Sequence, residues 1–381
     1  MAIQYRLTTT TIEDLTYEMK PSRKAGSEDS EIRATYLPAE WTRQSGVQLT
    51  WPHEGTDWKP ILREVTDCYV HMALEIAERE RLVIVTPEPE KVEQLLNERL
   101  PKRTLPNVSL HRIPTDDTWA RDHGFITLKT STGCLLLDFQ FNGWGRKFPA
   151  EQDNQISRRM MELGIFQGQY ESHLDFVLEG GSIECDGRGT ILTTSQCLLA
   201  PNRNQPLSQF EIEERLKRYL RAERVLWLDH GYLAGDDTDC HIDTLARFCP
   251  NDTIVYVQCT DTEDEHYEEL HLMEEQLQSF RTMEDTPYRL IPLPMAAPSY
   301  DADGQRLPAT YANFLIINGA VLMPTYRDAE RDDKARQQLQ QAFPRFEIVP
   351  IDCRVLIEQH GSLHCCTMHF PIGALRPIDN K

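Results

Sequence analysis

The sequence predicts an α/β protein, on two observations. Short apolar runs of β type alternate with amphipathic stretches of helical period, and no Pro- or Gly-rich linker splits the compact part. Strands are expected at Leu82 to Thr86, Val108 to Ile113, Cys134 to Phe139, Arg224 to Leu228, Thr253 to Gln258 and Phe314 to Ile317, where apolar, mainly β-branched or aromatic residues cluster. Helices are expected at Lys59 to Glu80, Pro89 to Leu96, Asn154 to Leu163, Glu211 to Tyr219, Glu263 to Phe280 and Asp328 to Gln341. Asp186-Gly187, between apolar flanks, reads as a hairpin turn. No exact internal repeat is visible. Residues 1–33 are polar and charged, bury little, and read as a flexible N-terminal arm; residues 34–381 read as a single domain, its compact part beginning near Pro38-Ala39-Glu40-Trp41.

Composition narrows the function classes. The 40 Lys and Arg against 60 Asp and Glu give a formal charge of -20, a field that repels nucleic acid and anionic membranes and attracts small cations. The ten cysteines are scattered without a CxxC pair, there is no signal-peptide core, and no apolar run approaches the about 20 residues needed to cross a bilayer. A reducing cytoplasm is the expected location. A homodimer is the prior expectation for a soluble protein.

The chemistry concentrates near the C-terminal end, in His360-Gly361-Ser362-Leu363-His364-Cys365-Cys366-Thr367. A cysteine beside a histidine is weak evidence by itself, and a buried structural thiol is the bland alternative. Three acidic motifs precede it: Trp119-Ala120-Arg121-Asp122, Leu178-Glu179-Gly180-Gly181-Ser182 and His241-Ile242-Asp243. Each has its own plain explanation: Asp122 as the partner of Arg121, Glu179 as part of a surface turn, and Asp243 as the cap of a helical-looking Thr244 to Phe248. Together they fit attack on a guanidinium carbon. That planar cation needs anions at its nitrogens and a strong nucleophile at its carbon. Each motif follows or closes a short apolar run, which would place the side chains at strand ends on one face. The His and Cys spacing matches no zinc pattern, and neither GxxxxGK[ST] nor a strand-linked GxGxxG occurs, so neither a metal nor a nucleotide cofactor is expected.

From about Pro38 to Pro371 the chain resembles the agmatine deiminases, within the wider family that includes bacterial peptidylarginine deiminases. The resemblance rests on seven ordered motifs: Trp51-Pro52-His53; Trp119 to Asp122 followed by Gly124; Phe141-Asn142-Gly143-Trp144-Gly145; Leu178 to Ser182; Gly235 to Asp243; Ala312-Asn313-Phe314; and His364-Cys365. It implies a pentein fold, a five-bladed α/β propeller of ββαβ units with the active site in a central channel. It also implies Cys365 as nucleophile, His241 as general acid and base, Asp122 and Asp243 as clamps on the guanidinium, Glu179 as support for the cation and for His241, Trp119 as cover for the alkyl chain, and Asn313 as an orienting residue. The segment that often reads Gly-Gly-Gly-Asn-Ile-His-Cys in the family reads His360 to Cys365 here, with Ser362 in place of the amide. The implied reaction is hydrolysis of agmatine to N-carbamoylputrescine and ammonia, a step toward putrescine, without cofactor. Peptidylarginine or free-arginine deimination is the alternative, ahead of amidinotransfer or a noncatalytic binding role.

Overall fold

In the computed structural model, residues 35–377 are described; the expected arm over residues 1–33 lies outside them. The first blade contains β1 (Gln44–Thr50), α1 (Leu62–Ala77), β2 (Arg81–Thr86), α2 (Pro89–Arg99) and β3 (Val108–Arg112). The second is β4 (Ile126–Lys129), β5 (Cys134–Gln140), α3 (Ile156–Glu162) and β6 (Gln169–Val177), and the third β7 (Ile183–Cys185), β8 (Thr190–Thr194), α4 (Gln209–Leu220) and β9 (Arg224–Leu228). The fourth is β10 (Ala246–Cys249), β11 (Thr253–Gln258), α5 (Tyr267–Ser279) and β12 (Arg289–Pro294). The fifth is β13 (Leu315–Ile317), β14 (Ala320–Thr325), α6 (Ala329–Ala342) and β15 (Glu347–Asp352). The last strand, β16 (Thr367–Pro371), returns to pair with β1.

Among the described residues these strands form five small sheets. In blades two to five the first strand runs antiparallel to the second, and the third lies parallel to the second. The helix between the second and third strands supplies the crossover that a parallel pair requires. Blade one repeats the pattern with strands from both ends of the chain: β16 is antiparallel to β1, with Val47 opposite His369 and Leu49 opposite Thr367, and β2 is parallel to β1. This is the pentein architecture, a ring of ββαβ units closed between the first and last strands.

Local sequence explains the elements. In α1, Val65, Cys68, Tyr69, Met72, Ala73 and Ile76 recur at three- and four-residue intervals and are buried. Ser208 and Glu211 form a reciprocal capping box that starts α4. The Asp186-Gly187 hairpin joins β7 to β8: Gly187 takes φ 72°, and Asp186 Oδ1 accepts the backbone N–H groups of Arg188 and Thr190.

Two expectations change. Thr244 to Phe248 is not helical; after one 3-10 turn (Ile242–Thr244) the chain enters β10, because Ala246 to Cys249 are all buried and pair with β11. The chemically loaded motifs converge, but of them only Leu178 to Ser182 directly follows a preceding strand, β6. They lie just ahead of the first strand of a blade: Asp122 before β4, Glu179 before β7, Asp243 before β10, Asn313 before β13 and Cys365 before β16. The five functional positions are therefore topologically equivalent, one per blade.

Candidate active site

Cys365 is only 5% exposed. Its Sγ lies 3.3 Å from Asn313 Nδ2 and 3.9 Å from Asp243 Oδ2. Asn313 Oδ1 accepts the backbone N–H groups of His364, at 2.9 Å, and Cys365, at 3.3 Å, so one amide side chain fixes the thiol-bearing loop. The Ser362 backbone also supports the charged form of the thiol through a hydrogen bond. Burial nevertheless pushes the thiol well above its ordinary range, and the Asp243 and Asp122 carboxylates push it further. The adjacent Cys366 is fully buried on the side of Tyr69 and Cys68 and does not line the cavity. Ser362, in place of the family's amide, bonds the Tyr326 hydroxyl at 2.8 Å.

Asp122 sits in a single helical turn (Ala120–His123). Its Oδ2 accepts Trp144 Nε1–H and its Oδ1 accepts Gly181 N–H, both at 3.0 Å. Burial raises this carboxyl to about 7, against the opposing pull of the Trp144 bond. Arg121 is not its partner: that guanidinium turns away to His369 Nδ1, at 3.1 Å, and Glu40, at 3.6 Å. Asp243 does not cap a helix. Its Oδ2 pairs with His364 Nδ1 at 2.8 Å, its Oδ1 has no partner among the described residues, and burial raises its pKa well above the usual carboxylate value.

His241 is fully buried, with Nδ1 3.7 Å from Asp122 Oδ1 and no hydrogen-bond partner for either ring nitrogen among the described residues. Burial, then the Arg203 and Lys147 charges, drive its pKa well down, so the imidazole is neutral. Glu179 is not at the surface; it is 0% exposed, its Oε1 accepts Arg203 Nε–H at 2.8 Å, and its Oε2 is unpartnered among the described residues.

Gly181 explains how close these groups come. A Cβ there would stand 2.6 Å from His241 Nδ1, 2.9 Å from Asp122 Oδ1 and 3.1 Å from Asp243 Oδ2. The missing side chain is the space around which the imidazole and both carboxylates gather.

The thiol and Asp122 open onto a cavity of about 150 Å³ lined also by Trp119, Trp144, Phe148, Asp57, Asp117 and Asp237. Trp119 is held by Nε1–H to Asp117 Oδ2, at 2.9 Å, and by contacts with Trp58 and Trp144. It packs close against Gly361, where a Cβ would approach its ring to 2.2 Å. Among the described residues none that lines this cavity is Lys or Arg; Arg146 is exposed and outside it. Asp117 is raised to about 6, first by burial and also by the Asp57 charge.

Thus Trp119, Asp122, Glu179, His241, Asp243, Asn313 and Cys365 gather in one region around the thiol and its cavity. Sequence reasoning missed the layer beneath them. His364 Nε2 lies 2.9 Å from Glu40 Oε2, and Arg247 is buried between Glu184 and Glu40 while donating to the carbonyls of Ala312 and Phe314. Arg203, which spans Glu179 and Asp239, was missed too. Only Glu40 had a sequence cue, beside the start of the compact region.

Residues 36–371 match the family described as Porphyromonas-type peptidyl-arginine deiminase. The chain belongs to this family. The deiminase fold is shared with a provisionally named arginine deiminase from Porphyromonas gingivalis, 51% identical, covering 90% of this chain and 100% of that one with a TM-score of 0.85. An agmatine deiminase from C. jejuni, solved as a cysteine-to-serine variant with substrate bound, is 37% identical over 90% of this chain and 97% of its own, with a TM-score of 0.82. A provisionally named agmatine deiminase from Vibrio parahaemolyticus is 32% identical over 360 residues, 88% of this chain and 96% of that one. Deiminases of this family are hydrolases that act on C–N bonds of guanidino groups. Among the described residues, no helix is long and apolar enough to cross a membrane.

Proposed function

We propose that this protein hydrolyses agmatine to N-carbamoylputrescine and ammonia, with Cys365 as the nucleophile. The observation that carries the reading is the cavity itself. Its inner end holds a thiol beside Asp122, its walls are tryptophans, and its remaining charged lining is Asp57, Asp117 and Asp237. A guanidinium fits the inner end, an alkyl chain the tryptophan walls, and an ammonium the acidic outer part. An α-carboxylate would meet three acids there and neither Lys nor Arg, His360 being the one imidazole in the lining, which favours agmatine over free arginine.

Burial favours the neutral forms of the thiol, the imidazole and Asp243. The substrate's positive charge reverses that preference, because opposite charge favours ionised carboxylates and thiolate. Asp122 and Asp243 then hold the guanidinium nitrogens, and His241 receives the thiol proton. The thiolate adds to the guanidinium carbon; His241 passes the proton to the departing nitrogen, which leaves as ammonia, giving an S-alkylthiouronium. A water enters and His241 accepts one of its protons as the new C–O bond forms; the C–S bond breaks, the second water proton goes to the sulfur, and His241 releases its proton to solvent, where ammonia takes it up as ammonium. N-Carbamoylputrescine and the free thiol result, with no electron acceptor needed. Glu179, anchored by Arg203, supports the imidazolium formed in both steps.

Ammonia release from agmatine, free arginine and a peptidyl-arginine, with the carbon product of each identified by mass, tests the reading. The expected outcome is N-carbamoylputrescine from agmatine and slow or no turnover of the others. Preferential peptide turnover moves the assignment to protein deimination, and preference for free arginine defeats the argument from the acidic rim.

A further inference from the structure

Behind the nucleophile, three side chains from three separate segments point at one another. Glu179 precedes β7, Cys197 lies in a short helix (Ser195–Leu198) after β8, and His241 precedes β10. Each offers one ligand atom, these atoms lie within 4.8 Å of one another, and all three residues are fully buried. A second, independent observation marks the point they enclose: Glu179 Oε2 and both His241 nitrogens have no hydrogen-bond partner among the described residues. Buried polar atoms are ordinarily satisfied, so such a group of orphans calls for an explanation.

We propose that Glu179, Cys197 and His241 form an inhibitory site for a thiophilic divalent cation, Zn²⁺ above all. One thiolate, one imidazole and one carboxylate suit a tetrahedral Zn²⁺ with its fourth position left to water. The nearest opposing charge is Arg203. It is already matched by Glu179 Oε1 at 2.8 Å and Asp239 Oδ2 at 2.6 Å, which leaves Glu179 Oε2 for the metal. Binding is an exchange: the Cys197 S–H bond breaks, an S–Zn bond forms, and one proton is released to solvent, with no oxidation or reduction. Cys197 takes no part in the hydrolytic steps. His241 and Glu179 do, so an ion on them removes the acid–base group that turnover needs. The inhibitory consequence rests on the proposed hydrolysis, whereas the binding site does not. The cavity wall that stands nearest this cluster includes Asp122, whose Oδ1 lies 3.7 Å from His241 Nδ1.

The test pairs binding with turnover. Equilibrium dialysis of the Cys365→Ala protein with Zn²⁺ alone is expected to show one tightly held ion per chain, lost or weakened in the Cys365→Ala/Cys197→Ala double variant. In the wild type, Zn²⁺ is expected to stop ammonia release from agmatine, with recovery on adding a chelator. Cys197→Ala, or Cys197→Ser if the alanine variant folds poorly, is expected to keep basal turnover and lose Zn²⁺ sensitivity by at least about tenfold, the smallest loss typical even for residues that merely support a ligand. Unchanged sensitivity in both Cys197 variants would place the ion on Cys365 and overturn the proposal. Failure of Zn²⁺ to bind the Cys365→Ala protein would overturn it equally. If agmatine is not a substrate, dialysis still reads the site, so the two proposals fail separately.

Discussion

At Gly181 a single missing methyl group sets the geometry of the reacting groups. Gly181→Ala would put a carbon 2.6 Å from His241 Nδ1, so the imidazole or a carboxylate must move. Displacing catalytic groups by about 1 Å costs on the order of 100-fold in rate, and a loss of that size in kcat/KM for agmatine is expected. Activity within a few-fold of wild type would show that the convergence on Gly181 is incidental. Trp144 offers a more selective probe. Its indole N–H favours the charged form of Asp122, whose pKa burial has already raised to about 7. The substrate is a cation and needs Asp122 ionised, so kcat/KM falls as pH drops through that value. Trp144→Phe removes the donor, raises the Asp122 pKa further, and should move the acid limb of the kcat/KM profile to higher pH. A pH-rate series on both proteins checks this; superimposable acid limbs would separate Asp122 from substrate binding. The residues that gather at the cavity were legible as members of local sequence motifs, and the roles proposed for them come from the resemblance those motifs carry. Glu40, Arg203 and Cys197 were not. Glu40 reaches His364 across 324 positions of chain, and sequence pattern carries no trace of such a contact.

Among the elements, the longer helices were readable from periodicity, as were β2, β3, β5, β9 and β11, whereas β1, β8 and β14 were not expected. Of the first strands only β13 was, as Phe314 to Ile317; β7 has three residues and β4 and β10 four, too few for alternation to show. β4, β7 and β10 follow the proposed catalytic positions directly, so much of the fold that places the candidate site was hard to see. The junction between blades one and five provides a stability test. Glu80, just after α1, accepts the N–H of Asn318 at the turn between β13 and β14; its other oxygen is unpartnered among the described residues, and burial raises it to about 7. A carboxyl raised on folding binds its proton more tightly in the native state. Stability therefore falls as pH rises from the unfolded value near 4.5 to about 7 and is level above that. The full effect is on the order of 3 kcal/mol. Glu80→Gln keeps an acceptor without the charge, so its unfolding midpoint should exceed that of the wild type by an amount that grows between pH 5 and pH 8. A constant difference across that range would count against a buried charge at this junction.

For the whole molecule, closure of the ring is the decisive contact. β16 carries Cys365 at its entrance and pairs with β1, so completing the first blade also delivers the proposed nucleophile to the other four proposed catalytic positions. A chain ending at Cys366 lacks that strand and should not reach the cooperatively unfolding native state, even though it keeps every proposed catalytic residue; calorimetry of the truncated protein would show it. A normal transition would mean that the other four blades fold without closure. The formal charge of -20 acts at the same scale, and as a long-range field it should make KM for dicationic agmatine rise with ionic strength. An ionic-strength series at fixed pH measures this, and a flat response would confine the electrostatics to the cavity.

Ammonia release from agmatine by the wild type and by Cys365→Ala, with agmatine binding to each followed by calorimetry, is the most direct single comparison. The expected result is turnover by the wild type and retained binding without ammonia in the variant, because the tryptophans and carboxylates that hold the substrate are untouched while the attacking sulfur is gone. Near-normal ammonia release by Cys365→Ala would contradict the assignment of the nucleophile and, with it, the mechanism.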